Sequence, residues 1–137
     1  MAKGIFIAGT DTGVGKTIVS ATIIRALISK GFKVGAMKPA ETGCIFIDQQ
    51  SFKTKEETIK KINELLMPSD GMFLKKMAEM DDPLELVTPI RFEQPLAPMV
   101  ASDVEKRDFE LEWIFESYKV LSKKYDFMVV EGVGGLM

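Results

Sequence analysis

Apolar positions in this chain fall into short unbroken runs separated by longer stretches in which they recur every three or four residues. The first unbroken run, "GIFIA" at residues 4–8, ends at a glycine and reads as a strand buried on both faces. Residues 17–29 carry Ile18, Ala21, Thr22, Ile24 and Ala26 near helical spacing and stop at Lys30-Gly31, a helix C-terminal signal. Residues 32–37, closed by Pro39, predict a second strand. Residues 49–66 place Ile59, Ile62, Leu65 and Leu66 among Lys and Glu, the pattern of a solvated amphipathic helix. "PSDGMFLKKMAEM" from Pro68 predicts another, with Leu74, Met77 and Met80 on one face behind a Ser69-Asp70 start that suits an N-cap. The clearest helical stripe is Leu111, Ile114, Phe115, Tyr118 and Leu121 within residues 108–124. "FMVV" at residues 127–130 is a fully apolar strand, followed by Glu131 and three glycines.

Strands alternating with helices imply an α/β fold with a mostly parallel sheet, and its first strand–helix–strand unit is expected to be right-handed. With 137 residues and 46% hydrophobic content, the chain has material for one core and one domain. A formal charge of -2 with scattered basic residues gives no footprint for nucleic acid or an anionic membrane surface. No apolar run approaches the roughly 20 residues that span a bilayer, and no signal sequence opens the chain, so a cytoplasmic location is the default. The single cysteine, Cys44, excludes an internal disulfide framework. The absence of histidine leaves Lys, Asp, Glu, Thr and backbone amides to carry any chemistry.

The first strand runs into "GTDTGVGKT", which spends Gly9, Gly13 and Gly15 within seven positions and places Lys16 and Thr17 directly behind them. A strand, a glycine-rich turn and a helix aim unpaired N–H groups and the positive end of the helix dipole at one point, which suits a polyphosphate. Lys16 would reach the β and γ phosphates and Thr17 would offer a hydroxyl to Mg²⁺, as in a P-loop. Gly9 lies one position earlier than the usual spacing, so the loop is a longer variant. Glu131 stands at the carboxyl end of an apolar strand, the rim where ligands of open α/β sheets collect, and could hold Mg²⁺ directly or through water. Lys38 follows the strand "VGAM" and should face the same rim, where a second positive charge suits a reaction that builds negative charge on an acceptor.

Five blocks in order, "GTDTGVGKT" from Gly9, "KPAETG" from Lys38, "PSDGMFLKK" from Pro68, "FEQPLAP" from Phe92 and "VVEGVGG" from Val129, resemble the N-terminal portion of the ATP-dependent dethiobiotin synthetases. The resemblance covers nearly the whole chain. It implies a P-loop NTPase-like, Rossmann-like fold of three layers, of which residues 1–137 are the N-terminal part of a single ATP-binding domain. It further implies a ligase that builds the ureido ring of dethiobiotin from 7,8-diaminononanoate, CO₂ and ATP with Mg²⁺, as a cytoplasmic homodimer. On that resemblance Gly13, Val14, Gly15, Lys16, Thr17 and Ile18 wrap the ATP phosphates, and Glu131, Gly132, Val133 and Gly134 lie against the nucleotide. Thr17, Asp70 and Glu131 form the protein's share of the metal shell. Lys38 and Lys16 are the catalytic lysines, and Thr12 and Thr42 contact the substrate.

Two departures accompany it. Members of that family continue past the "EGxGG" block, so the chain is expected to be truncated. Its last strand, 127–130, would then lack partners, and residues 1–137 alone would be poorly soluble or partly unfolded and would not form dethiobiotin. Met99 stands where the family pattern places His. Two other readings share a similar loop. A cobyrinic acid a,c-diamide synthase-like amidoligase should carry Gly-Pro-Asp after the lysine matching Lys38, where this chain has "PAETG". A partitioning-type switch ATPase should have lysine at the position of Asp11.

Overall fold

Residues 1–9, 15–46 and 63–133 are described by a computed structural model of the chain. Three parallel strands form the central sheet: β1 (Lys3–Ile7), β2 (Val34–Met37) and β7 (Phe127–Glu131). Their spatial order is β1-β7-β2. The last strand therefore lies in the middle and is paired on both sides, which corrects the expectation that residues 127–130 would lack partners. Met128 and Val129 are fully buried there. The open position falls on β1, where Phe6 is 61% exposed, so the first strand is not buried on both faces as its apolar run suggested.

Helix α1 (Gly15–Ser29) follows β1 and ends at Gly31, whose φ of 93° only glycine adopts without strain. Its buried positions are Thr17, Ser20, Ala21 and Ile24; Ile18, Thr22 and Ala26 face outward, which rotates the inner stripe relative to the apolar count. Helix α2 (Ser69–Met77) and the short α3 (Leu84–Val87) cover the outer edge of β2. There the Ala36 N–H donates to Met80 Sδ (3.1 Å) and the Lys38 N–H to the Val87 carbonyl (2.9 Å). These partners explain why every residue of this edge strand is buried. Helices α4 (Pro98–Glu105) and α5 (Leu111–Ser122) follow in the chain.

A Cβ on Gly4 of β1 would fall 2.8 Å from Tyr118 Oη of α5, so that face of the sheet meets α5. Gly4 pairs with Met128, and Glu131, three residues on, points to the opposite face and reaches α1. Helices thus flank the sheet as three layers. Ile24, Met37, Leu74, Leu121, Met128 and Val129 form the centre of the main core, each contributing on the order of 2 kcal/mol by burial. Leu121 of the α5 stripe is buried and Ile114 and Tyr118 pack against the core, whereas Leu111 and Phe115 are largely exposed.

Two pairs of two-residue strands were not visible in the pattern. β3 (Ala40–Glu41) pairs in parallel with β6 (Ile90–Arg91), and β4 (Ile45–Phe46) pairs antiparallel with β5 (Leu66–Met67). Leu66 is therefore in a strand rather than at the end of a helix. Residues 63–65 of the helix expected over 49–66 are helical, and 49–62 lie outside the described residues.

The sheet's far end is fastened by Asp82, which accepts hydrogen bonds from Lys124 Nζ and Tyr125 Oη. Burial alone would push the Asp82 carboxyl up, but these two donors and the Lys124 charge together hold it below its usual range. A lowered carboxyl stabilises the fold above its unfolded value of 3.8, and that contribution is lost as pH falls through the lower folded value. Asp82→Asn should cost about 1–3 kcal/mol at pH 7, measured by denaturant unfolding. The gap to the unsubstituted protein should shrink below about pH 4; a gap of constant size from pH 7 to pH 3 would show that the ionised carboxylate is not the source.

Candidate functional site

The carboxyl ends of the three parallel strands bring charged side chains together at one rim. The register places Ile7 beside Glu131 and Met37 beside Val130, so Lys38, one residue beyond β2, arrives alongside Glu131. Thr17 is the third residue of α1 and enters from the helix that follows the glycine turn. Its hydroxyl donates to Glu131 Oε1 at 2.8 Å. Lys38 Nζ lies 3.4 Å from the same oxygen and 3.2 Å from Asp70 Oδ2. Lys16 Nζ donates to the Gly132 carbonyl at 3.3 Å. Lys16, Thr17, Lys38, Asp70, Glu131 and Gly132 are thus one constellation.

Burial makes that constellation electrostatically strong. Glu131 is 1% exposed and Lys38 5%, and a buried carboxylate of this kind is tolerated only against a partner charge and hydrogen-bond donors. Glu131 Oε2 remains buried without a hydrogen-bond partner among the described residues. Such an orphaned oxygen beside a hydroxyl and a second carboxylate is an oxygen-only donor set, which fits Mg²⁺. Among the described residues no three His, Cys, Asp or Glu side chains converge for a metal.

The remaining expected site residues are less closely tied. Gly15 opens α1 with open space where a Cβ would stand, and Ile18, 58% exposed, faces outward. Val133 follows Gly132 on the rim, half-buried. Thr42 is half-buried in the turn after β3, and no hydrogen bond ties it to the constellation. Thr12, Gly13, Val14 and Gly134 lie outside the described residues. Beside the rim an open, largely apolar groove of about 1050 Å³ runs past Pro39, Ala40 and Val133 to Phe109 and Met99. Met99 replaces the expected histidine there and is exposed.

Two charged residues that the motifs did not single out are buried near the site. Glu41, 4% exposed, accepts the N–H of Gly71 on Oε1 (2.8 Å) and that of Asp70 on Oε2 (3.0 Å). Burial pushes its carboxyl up, opposed by those two N–H groups. Ser69 and Asp70 lie inside the first turn of α2 rather than capping it, and Pro68 provides no side-chain cap, so the capping carboxylate comes from β3. Arg91 of β6 is 1% exposed and donates to the carbonyls of Asn63, Leu66 and Thr88, holding β5 and the end of α3 together. Its signal was only an arginine between apolar neighbours in "PIRF". Cys44 is buried and its thiol is pushed up to about 12 by burial, which removes it as a nucleophile at neutral pH.

A parallel sheet flanked by helices, with a lysine and threonine opening the helix after the first strand and an acid ending the central one, defines a P-loop α/β nucleotide-binding domain. The sequence matches the family described as "AAA domain" over residues 3–137, and the chain belongs to that family. It is 53% identical over all 137 residues to the ATP-dependent dethiobiotin synthetase BioD of Thermodesulfovibrio yellowstonii, covering 51% of that protein. It is 39% identical to the proteins of the same name from Aquifex aeolicus and Methanocaldococcus jannaschii, with 96% of this chain aligned to 50% and 53% of theirs. The chain spans about half the length of these curated relatives.

The buried pair generates a stability prediction. Lys38→Met leaves Glu131 buried beside Thr17 without its nearest cation and should cost on the order of 3 kcal/mol. Adding Glu131→Gln removes the orphaned charge, so the double variant should recover part of that loss in a denaturant-melt cycle. Strict additivity of the two single losses would show that the pair does not interact as the distance indicates.

Proposed function

We propose that the protein is an ATP-dependent dethiobiotin synthetase. It would carboxylate 7,8-diaminononanoate with CO₂ and close the ureido ring at the expense of ATP, giving ADP and phosphate. The observation that carries this reading is the Lys38 ammonium held between Asp70 and Glu131, with Thr17 on the same Glu131 oxygen. It occurs in a chain with 53% identity to a protein of that name. The same reading takes the protein to be a cytoplasmic homodimer acting on small molecules.

Each step can be assigned to groups at the rim. One substrate amine adds to CO₂, loses a proton and becomes a carbamate anion. A carbamate oxygen forms a bond to the γ phosphorus of ATP as the bond to the bridging oxygen breaks, releasing ADP and leaving a carbamic-phosphoric anhydride. The second amine attacks the anhydride carbonyl, phosphate departs with the shared oxygen, and the ring is closed. No protein nucleophile is needed, which suits a chain without histidine and with an inert Cys44. Positioning and charge neutralisation dominate such phosphoryl transfers.

Lys16 and the N–H groups at the start of α1 would cradle the phosphates, with Gly15, Ile18, Gly132 and Val133 lining the nucleotide. Thr17, Asp70 and Glu131 would hold Mg²⁺, which would supply positive charge to the phosphate oxygens. Lys38 would move from its carboxylate partners toward the carbamate and the transferring phosphoryl group. Thr42 would contact the polar end of the substrate, and the apolar groove past Pro39 and Val133 gives its aliphatic chain a matching surface.

The test is turnover with 7,8-diaminononanoate, bicarbonate and Mg-ATP, which a switch ATPase would not couple to the diamine. Lys38→Ala, assayed below its unfolding transition, should retain nucleotide binding and lose about 100-fold or more in ring-forming turnover, the scale of one transition-state charge contact. Turnover close to that of the unsubstituted protein would remove Lys38 from the reaction.

A further inference from the structure

Asp70 is less buried than Lys38 or Glu131, with its side chain 40% exposed, yet its carboxylate lies 3.2 Å from Lys38 Nζ. What holds it there is on the backbone side. The N–H groups of Asp70 and Gly71 are both taken by the two oxygens of the Glu41 carboxylate, at 3.0 and 2.8 Å. Ser69 Oγ approaches the same Glu41 oxygen at 3.5 Å. Glu41 is itself fixed, because β3 pairs with β6 and the side chain is 4% exposed.

The other side of the turn is equally closed. A Cβ on Gly71 would fall 2.1 Å from Thr88 Oγ1, so only glycine lets the first turn of α2 approach the end of α3 this closely. The turn is therefore clamped between a carboxylate that binds its N–H groups and a wall that admits no side chain. Asp70 is left with only its own side-chain torsions, and Lys38 lies within their reach.

We infer that Glu41 is a positioning residue, which sets Asp70 against Lys38 by gripping the first turn of α2. The inference rests on the reading of Asp70 as part of the Mg²⁺ shell. Glu41 touches neither nucleotide nor metal in this account; it acts through the Asp70 backbone, as outer partners of metal ligands commonly do. A carboxylate suits the task because it offers an acceptor to each of two adjacent N–H groups, whereas an amide offers one acceptor and turns a donor toward the other.

The experiment is calorimetric titration of Mg²⁺ into the full-length protein with ADP, for the unsubstituted protein, Glu41→Gln, Asp70→Ala and the double variant, with thermal unfolding of each. Glu41→Gln should raise the half-saturating Mg²⁺ concentration about tenfold. It should change it by less than about twofold when Asp70 is already alanine, because the grip then has nothing to position. Should Glu41→Gln fail to fold, Glu41→Asp, which keeps the charge but withdraws it by one methylene, should give the same pattern. A lowered unfolding temperature with an unchanged Mg²⁺ isotherm would reduce Glu41 to a helix cap and overturn the inference. An equal shift in both backgrounds would overturn it as well. If Asp70→Ala alone leaves the isotherm unchanged, Asp70 is outside the metal shell and the inference falls with that assignment. Failure of the synthetase reading itself would appear separately, as absent turnover in the unsubstituted protein.

Discussion

A single buried oxygen organises this site. Glu131 Oε1 receives the Thr17 hydroxyl from α1 and faces the Lys38 ammonium at the end of β2, so one carboxylate at the end of the central strand joins three elements. Burying that charge is costly, and its partners must be present for the fold to tolerate it. The arrangement follows from strand order. Because β7 lies between β1 and β2, its last residue is flanked by Ile7 of β1 on one side and by Lys38, just beyond β2, on the other. The chemistry at the rim depends on this central placement.

The strands and helices that build the rim were legible because they are long or strongly apolar. Residues 127–130 announce a strand by four consecutive apolar side chains, and Lys30-Gly31 marks the end of α1. Spatial order was not legible. Nothing in the composition of "GIFIA" distinguishes a central strand from an edge strand, and β1 proved to be the one with Phe6 exposed while the last strand took the centre. The pairs β3–β6 and β4–β5 escaped notice because two residues show no period. The α5 stripe was read slightly out of phase: Ile114, Tyr118 and Leu121 meet the core, but Leu111 and Phe115 are exposed and Ser117 and Ser122 are buried in their place.

The site shows the same division. Lys16, Thr17, Lys38 and Glu131 could be picked out because a phosphate cradle needs those residue types at strand ends and a helix start. Glu41 could not, since its value arises from contacts 29 and 30 residues away in the chain, at the N–H groups of Asp70 and Gly71. In sequence it is an acid between Ala40 and Thr42 inside a recognisable block, with no periodic or spacing signal of its own. Ser69-Asp70 gave a misleading local signal for the same reason: the pair has cap-forming side chains, but the cap is delivered from another strand. Local chemistry thus located Lys16, Thr17, Lys38 and Glu131, and tertiary contact located the support behind Asp70.

The central claim is that Glu131 serves the charge of the site rather than only the packing of β7. The most direct measurement is the Mg²⁺ dependence of ADP binding to Glu131→Gln, followed by calorimetry with no second substrate present. The side chain keeps its shape and can still accept from Thr17, so the fold should be retained. The account predicts that half-saturation will require at least about tenfold more Mg²⁺, equivalent to about 1.4 kcal/mol, with ADP binding in the absence of Mg²⁺ little changed. Superimposable Mg²⁺ isotherms for the two proteins would contradict it.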